Sequence, residues 1–164
     1  MDGNNKEWVN TDHALFVGEK SQVQGTLRCS CDDKNVYFLV EVLDRSLLRG
    51  DYATVYLSPD DSKSLTNGAK RIQVSMDGLK STETYAGKWN NAEMGVEVKT
   101  YVCNDTNEDR IDNYGYIAEI SVPRSSLTIS SGQVLVNFSI TDNKEEEAVS
   151  DVSSISRWIP VAGL

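Results

Sequence analysis

Residues 22–43 read QVQGTLRCSCDDKNVYFLVEVL, and this stretch decides the fold. Val36, Phe38, Val40 and Val42 fall at every second position, the spacing that lines one face of a strand. Upstream, a strand over 22–31 places Leu27, Cys29 and Cys31 on one face. Asp32-Asp33-Lys34-Asn35 between the two runs is turn chemistry, so the pair reads as a hairpin. The same alternation returns at Ile72, Val74 and Met76, and at Val96, Val98, Thr100 and Val102. It returns again at Tyr116, Ala118, Ile120 and Val122, and at Val134, Val136, Phe138 and Ile140. Each run supplies one apolar face that has to be covered, and no long helical pattern offers the cover. A second sheet does. The expected fold is an all-β, two-sheet antiparallel β-sandwich of immunoglobulin-like or jelly-roll-like kind, with little helix.

Working outward, strands are expected at 51–57, 70–76, 94–103, 114–122 and 133–141, with Asp77-Gly78 as a hairpin turn. Residues 79–93 read as less regular. The stretches 44–50, 104–113 and 142–151 read as loops. No repeat, linker or low-complexity tract divides the 164 residues, so one domain is expected over 1–164. The net charge of −9, without clustered Lys and Arg, argues against nucleic acid and against an anionic membrane surface. No apolar run is long enough to insert into a bilayer. The chain opens MDGNNKEW with no secretory leader, which reads as either a cytosolic protein or a module cut from a longer one. The abrupt start and end favour the module.

The three cysteines leave two readings open: small buried hydrophobes, or a bridge from Cys29 or Cys31 to Cys103 if the sheets bring them together. Enzyme chemistry finds little footing. His13 is the single histidine, and no serine elbow or thiolate environment surrounds it. The expectation is a non-catalytic chain.

DGNNKEW, TLRCSCDDKNVYFLVEVLD, DYATVYLSPDD, RIQVSMDG, GYIAEISVP and VLVNFSITDN follow one another in an order that resembles the family 9 carbohydrate-binding modules and related DOMON-type sandwiches. The resemblance runs from Asp2 to about Leu164. It implies a module that holds the end of a sugar chain between two tryptophans, is stabilised by calcium, and is appended to a secreted glycoside hydrolase. Departures are visible. Where members carry a Trp just before the strand matching 51–57, this chain has Leu48-Arg49-Gly50. Thr54 replaces a Glu, Gln73 and Ser75 replace an Arg and an Asn, and Ser139 replaces a Gln, whereas Asn137 matches. Trp158 falls near the second clamp tryptophan, and Lys6 stands where an Asp is common.

Thr54, Gln73, Ser75, Asn137 and Ser139 all point opposite the apolar positions of their strands. On neighbouring strands they would form one amide-and-hydroxyl patch suited to sugar OH groups. Such a patch needs an aromatic platform for the apolar face of a pyranose. Trp158 and Trp89, with Tyr85, are the candidates, and Arg157 beside Trp158 could pair with an acidic sugar. Trp8 reads as core. The acidic loops lack EF-hand spacing and read as solvated charge. Through the resemblance, Asp2, Asp44 and Asp142 are the candidate ligands for a structural calcium. The functional expectation is a carbohydrate-binding module of a bacterial, extracellular or cell-surface glycan-active enzyme, its partners being a polysaccharide or glycan end and the catalytic domain of its parent chain. The alternative is a structural or adhesion sandwich that packs on neighbouring domains and binds no sugar.

Overall fold

The computed structural model describes residues 1, 8, 14–18, 23–44, 47–60, 65–107, 110–129, 133–144, 147–151 and 159–161. Among the described residues, twelve strands form two antiparallel sheets. In chain order they are β1 Ala14–Val17, β2 Gln24–Cys31, β3 Asn35–Leu43, β4 Tyr52–Ser58, β5 Lys70–Ser75 and β6 Gly78–Tyr85. Then follow β7 Trp89–Asn91, β8 Glu97–Asn107, β9 Arg110–Pro123, β10 Leu135–Lys144, β11 Glu147–Asp151 and β12 Ile159–Pro160. One sheet has the order β1-β2-β3-β9-β8; the other has β11-β10-β4-β5-β6-β7, with β12 also paired to β10. No α-helix occurs among the described residues, and a 3-10 turn at Arg124–Ser126 follows β9. The two-sheet sandwich is as the alternation demands.

The inward faces make one apolar core. Phe38, Val40, Ala118 and Ile120 from the five-stranded sheet meet Val55, Ile72, Val136 and Phe138 from the other, all with no exposure. Burying each large side chain contributes about 1.5–3 kcal/mol. The Tyr116 hydroxyl on β9 reaches across this layer and donates to the Val74 carbonyl on β5, 3.1 Å away. Burial, then the nearby Asp51 and Asp44 carboxylates, push the Tyr116 phenol far above its usual range, so it stays a donor.

The β2–β3 hairpin closes as its turn residues predict. Asp32 Oδ1 accepts the Lys34 and Asn35 amides at 2.8 and 2.7 Å, and its Oδ2 accepts the Tyr37 hydroxyl at 2.8 Å. These donors hold the Asp32 carboxyl below the usual carboxylate range. Gly115 in β9 has φ +125°, and a Cβ there would lie 1.8 Å from the Val42 carbonyl oxygen.

Three expectations change. Residues 79–93 are not irregular: they hold β6 and β7. GLKSTETY lacks apolar alternation because its position next to the short edge strand β7 leaves both faces partly wet, and pairing to β5 and β7 supplies the order. Residues 104–107 and 110–113 of the acidic stretch belong to the long β8–β9 ladder, and 147–151 forms β11. The cysteines are free. β2 and β8 stand three strand spacings apart in their sheet, about 14 Å, too far for a bridge from Cys29 or Cys31 to Cys103. Cys29 lies in the core and Cys31 packs against it. Trp8 is buried, as expected.

Candidate functional site: the outer face of the seven-stranded sheet

Strand parity sends Thr54 and Tyr56 of β4, Arg71 and Gln73 of β5, Ser81 and Glu83 of β6, and Asn137 and Ser139 of β10 to the face away from the core. Register then lines them up across the strands in two rungs. One rung is Ser139, Thr54, Gln73 and Ser81; the next is Asn137, Tyr56, Arg71, Glu83 and Asn91. The first is hydrogen-bonded from Ser81 as far as Thr54. The Ser81 hydroxyl donates to Gln73 Oε1 at 2.8 Å, and Gln73 Nε2 donates to Thr54 Oγ1 at 3.5 Å.

Beside the second rung, where Tyr85 pairs with Trp89, stands an aromatic ridge. Trp89 of β7 packs edge-on to Tyr85 with ring centroids 5.3 Å apart, and leans back across the sheet to within 6.2 Å of Tyr56. The Arg71 guanidinium lies 4.6 Å from the Trp89 ring centroid and pairs through Nε with Glu83 Oε2. Cation–π contact of this kind is worth about 0.5–1 kcal/mol, and more when water is excluded. Arg71 and Glu83 are 23% and 13% exposed at their side chains, so the pair is fixed and partly dry. Nearer the β5–β6 turn, Lys80 Nζ sits 3.8 Å from the Tyr52 ring centroid, a contact from β6 to β4 that passes over β5.

The structure thus brings together Thr54, Gln73, Asn137, Ser139, Tyr85 and Trp89, all expected from the sequence. Their availability differs. Thr54, Asn137 and Ser139 are 1%, 3% and 3% exposed, so they offer almost no surface to a ligand. Asn137 Oδ1 is taken by the Phe138 amide at 2.8 Å, and the Ser139 hydroxyl donates to Tyr56 Oη at 3.3 Å. Ser75 is 8% exposed at the end of β5, where its Oγ accepts the Asp77 amide at 3.2 Å in the hairpin turn. Gln73 is half-buried, as are Trp89 and Tyr85. Arg157 and Trp158 lie outside the described residues. Tyr56, Arg71, Glu83 and Ser81 were not expected, although Tyr56 and Arg71 sit two residues from Thr54 and Gln73 and share their parity.

A second constellation sits at one end of the sandwich. Asp44 directly follows β3, Asp51 directly precedes β4, and Asp142 lies on β10 beyond the Thr141–Tyr52 pairing. All three are 2% exposed, and each offers an oxygen within 4.8 Å of the others. The turn leading to β4 aims Asp51: its Oδ2 accepts the Leu48 amide at 2.6 Å while its own amide donates to the Leu48 carbonyl at 3.1 Å. Buried carboxylates this close repel, and a hard cation between them reverses the sign. An all-oxygen donor set fits calcium, which also accepts carbonyls and water. Asp44 and Asp142 were expected here; Asp51 was not, and Asp2 lies outside the described residues.

A family model described as "Carbohydrate family 9 binding domain-like" matches residues 4–161. The chain is 30% identical over 121 residues to the endo-1,4-beta-xylanase C of Paenibacillus barcinonensis, covering 73% of this chain and 10% of the xylanase. It therefore spans about a tenth of that relative. Two solved structures of a family 9 carbohydrate-binding module from Caldicellulosiruptor kristjanssonii share the fold at 15% identity. The complex with cellotriose superposes with a TM-score of 0.65 over 92% of this chain and 76% of that one. The complex with glucose gives 0.66 over 98% and 88%.

Proposed function

Since the chain belongs to the carbohydrate family 9 binding-domain-like family, we propose that it is a non-catalytic glycan-binding module whose binding surface is the outer face of the seven-stranded sheet. The observation that carries this reading is the ridge of Tyr56, Trp89 and Tyr85 standing beside the Arg71–Glu83 pair and the Gln73–Ser81 rung. Flat rings take the C–H face of a pyranose, while amides, hydroxyls and paired charges take its rim of hydroxyls. Gln73 and Ser81 already bond to each other in a half-exposed chain, so a sugar hydroxyl exchanges into an existing network instead of ordering loose side chains. Thr54 anchors the Gln73 amide, and Ser139 the Tyr56 hydroxyl. Ser75 belongs to the turn. Trp158 remains a proposed contributor from the resemblance, and Arg157 from its place beside it in the sequence.

The Asp44–Asp51–Asp142 cluster is proposed to hold a structural calcium, joining the end of β3 in one sheet to β4 and β10 in the other. The relative's name supports attachment to a glycan-active enzyme, and with it an extracellular setting and a bacterial source. Among the described residues no helix is long and apolar enough to cross a membrane. A single domain fits the one contiguous core.

Affinity electrophoresis and a glycan array test the reading. The wild type is expected to be retained by a β-1,4-linked glycan, and Trp89→Ala to lose retention by about tenfold or more, the scale of one lost stacking contact near 1.4 kcal/mol. Retention by no glycan leaves the structural or adhesion module as the function.

A further inference from the structure

Trp89 needs more than its backbone to stand where it does. β7 is three residues long and lies at the edge of its sheet, paired with β6 over Glu83–Tyr85. A short edge strand fixes its own amides and leaves the torsions of a large side chain to be set by neighbours. Trp89 is nonetheless half-buried, and its ring centroid sits 6.2 Å from that of Tyr56. β7 and β4 are three strand spacings apart, about 14 Å, so the two side chains lean towards each other over β5 and β6.

The two intervening strands carry the ion pair. Arg71 on β5 and Glu83 on β6 are direct partners in the register, and Arg71 Nε donates to Glu83 Oε2. The guanidinium lies over the indole of Trp89, 4.6 Å from the ring centroid. Neither tyrosine takes that place: Tyr85 meets the indole edge-on at 67°, and Tyr56 is tilted by 48°. The guanidinium is therefore the flat group on one face of the ring, a geometry that a planar cation adopts readily on an aromatic surface. Glu83 holds the guanidinium in that position through Nε, the donor nearest the Arg71 stem.

We propose that Arg71 and Glu83 are positioning residues for the sugar platform: together they grip Trp89 by one face and so present its opposite face, already oriented, to a pyranose ring. This rests on the glycan reading above and adds to it the source of the platform's rigidity and the side from which a sugar stacks. An indole fixed before the ligand arrives saves the cost of ordering it on binding. The ion pair thus acts on affinity through Trp89, beyond any contact it makes with a hydroxyl.

A double-mutant cycle tests it, read by isothermal titration with β-1,4-linked glucose and xylose tetramers. Arg71→Met and Glu83→Ala, each with its fold checked by melting temperature, should weaken binding by about two- to fivefold when Trp89 is present. In a Trp89→Ala background the same changes should cost less than about half as much, because the group they position is gone. Near-UV circular dichroism of the ligand-free protein supplies a second readout, which decides alone where Trp89→Ala binds too weakly to titrate. The band that Trp89→Phe removes should also collapse in Arg71→Met, as an indole does when its fixed packing is lost. Equal losses with and without Trp89 overturn the positioning role and leave Arg71 as a direct sugar contact. A Trp89 band unchanged in Arg71→Met overturns it as well, with glycan binding intact. Binding of neither tetramer by the wild type overturns the glycan reading and this one with it.

Discussion

Replacing Asp142 by Asn separates two explanations of the buried acidic cluster, because they predict opposite orders of stability. Its three carboxylates offer oxygens within 4.8 Å of one another. At an effective dielectric near 20, each charged pair at that distance repels by at least about 3.5 kcal/mol. Asp142→Asn removes two of the three pairs, a Coulomb repulsion of about 7 kcal/mol before side chains and water relax and cut it down. It keeps the shape and leaves the Asp51–Leu48 bonds untouched. In chelator the variant should therefore melt higher than wild type, by at least about 1 kcal/mol or roughly 2–4 °C for a domain of this size. In saturating calcium the order should invert. An ion at a hundredfold excess over its dissociation constant adds about 2.7 kcal/mol, which corresponds to a rise of about 5–10 °C. The variant, short of one charged ligand, should gain little. Differential scanning calorimetry with chelator and with calcium reads all four values. A wild type indifferent to chelator, with the variant lower by the same amount in both conditions, would refute a cation site and leave a purely hydrogen-bonded cluster.

Other expectations follow from single contacts. Tyr116→Phe deletes the bond to the Val74 carbonyl and should cost about 1 kcal/mol, seen as a urea midpoint shift at unchanged slope; an unshifted midpoint would mean the bond is worth nothing net. Gly115→Ala and Gly87→Ala both place a side chain at positive φ, +125° and +73°. Only the first meets backbone, with Val42 O at 1.8 Å, whereas nothing lies within 4 Å at Gly87. Gly115→Ala should lose more than about 3 kcal/mol and Gly87→Ala about 1; equal losses would contradict the packing. Asp32 has a folded pKa depressed by its amide and phenol donors, so its stabilisation is present above the ordinary carboxylate value near 3.9 and drains away as pH falls through the lower folded value. The stability gap between wild type and Asp32→Ala should be full at neutral pH and narrow in acid below about pH 4; a gap constant with pH would dismiss the carboxylate as its source.

The sandwich was legible because most of its core strands carry their apolar residues at a strict period of two. Val36 to Val42 and Val134 to Ile140 cannot be buried any other way. β6 was not legible for the same reason in reverse: Lys80, Ser81, Thr82 and Glu83 show no face, since that strand lies near the edge and takes its order from neighbours. The proposed binding face was half readable. Parity assigned Thr54, Gln73, Asn137 and Ser139 to one side of a sheet, but parity carries no information on depth, and three of the four prove nearly inaccessible. The same parity applies to Tyr56 and Arg71, and a search for aromatic and charged partners two residues away would have found them. Glu83 needed the β5–β6 register, which a bulge between Gln73 and Val74 shifts. Asp51 was hidden by its position as a strand opener; residues 44, 51 and 142 meet only once two sheets are stacked.

The phenol of Tyr116 reaches into the opposite layer and donates to the carbonyl of Val74, the residue at the β5 bulge and next to Gln73. Apolar contact alone lets stacked sheets slide a little over each other; a directional tether at this spot fixes their alignment. A layer that never meets a sugar would then govern where the amide of Gln73 is presented, and substitutions around β9 could alter ligand preference without touching the binding face.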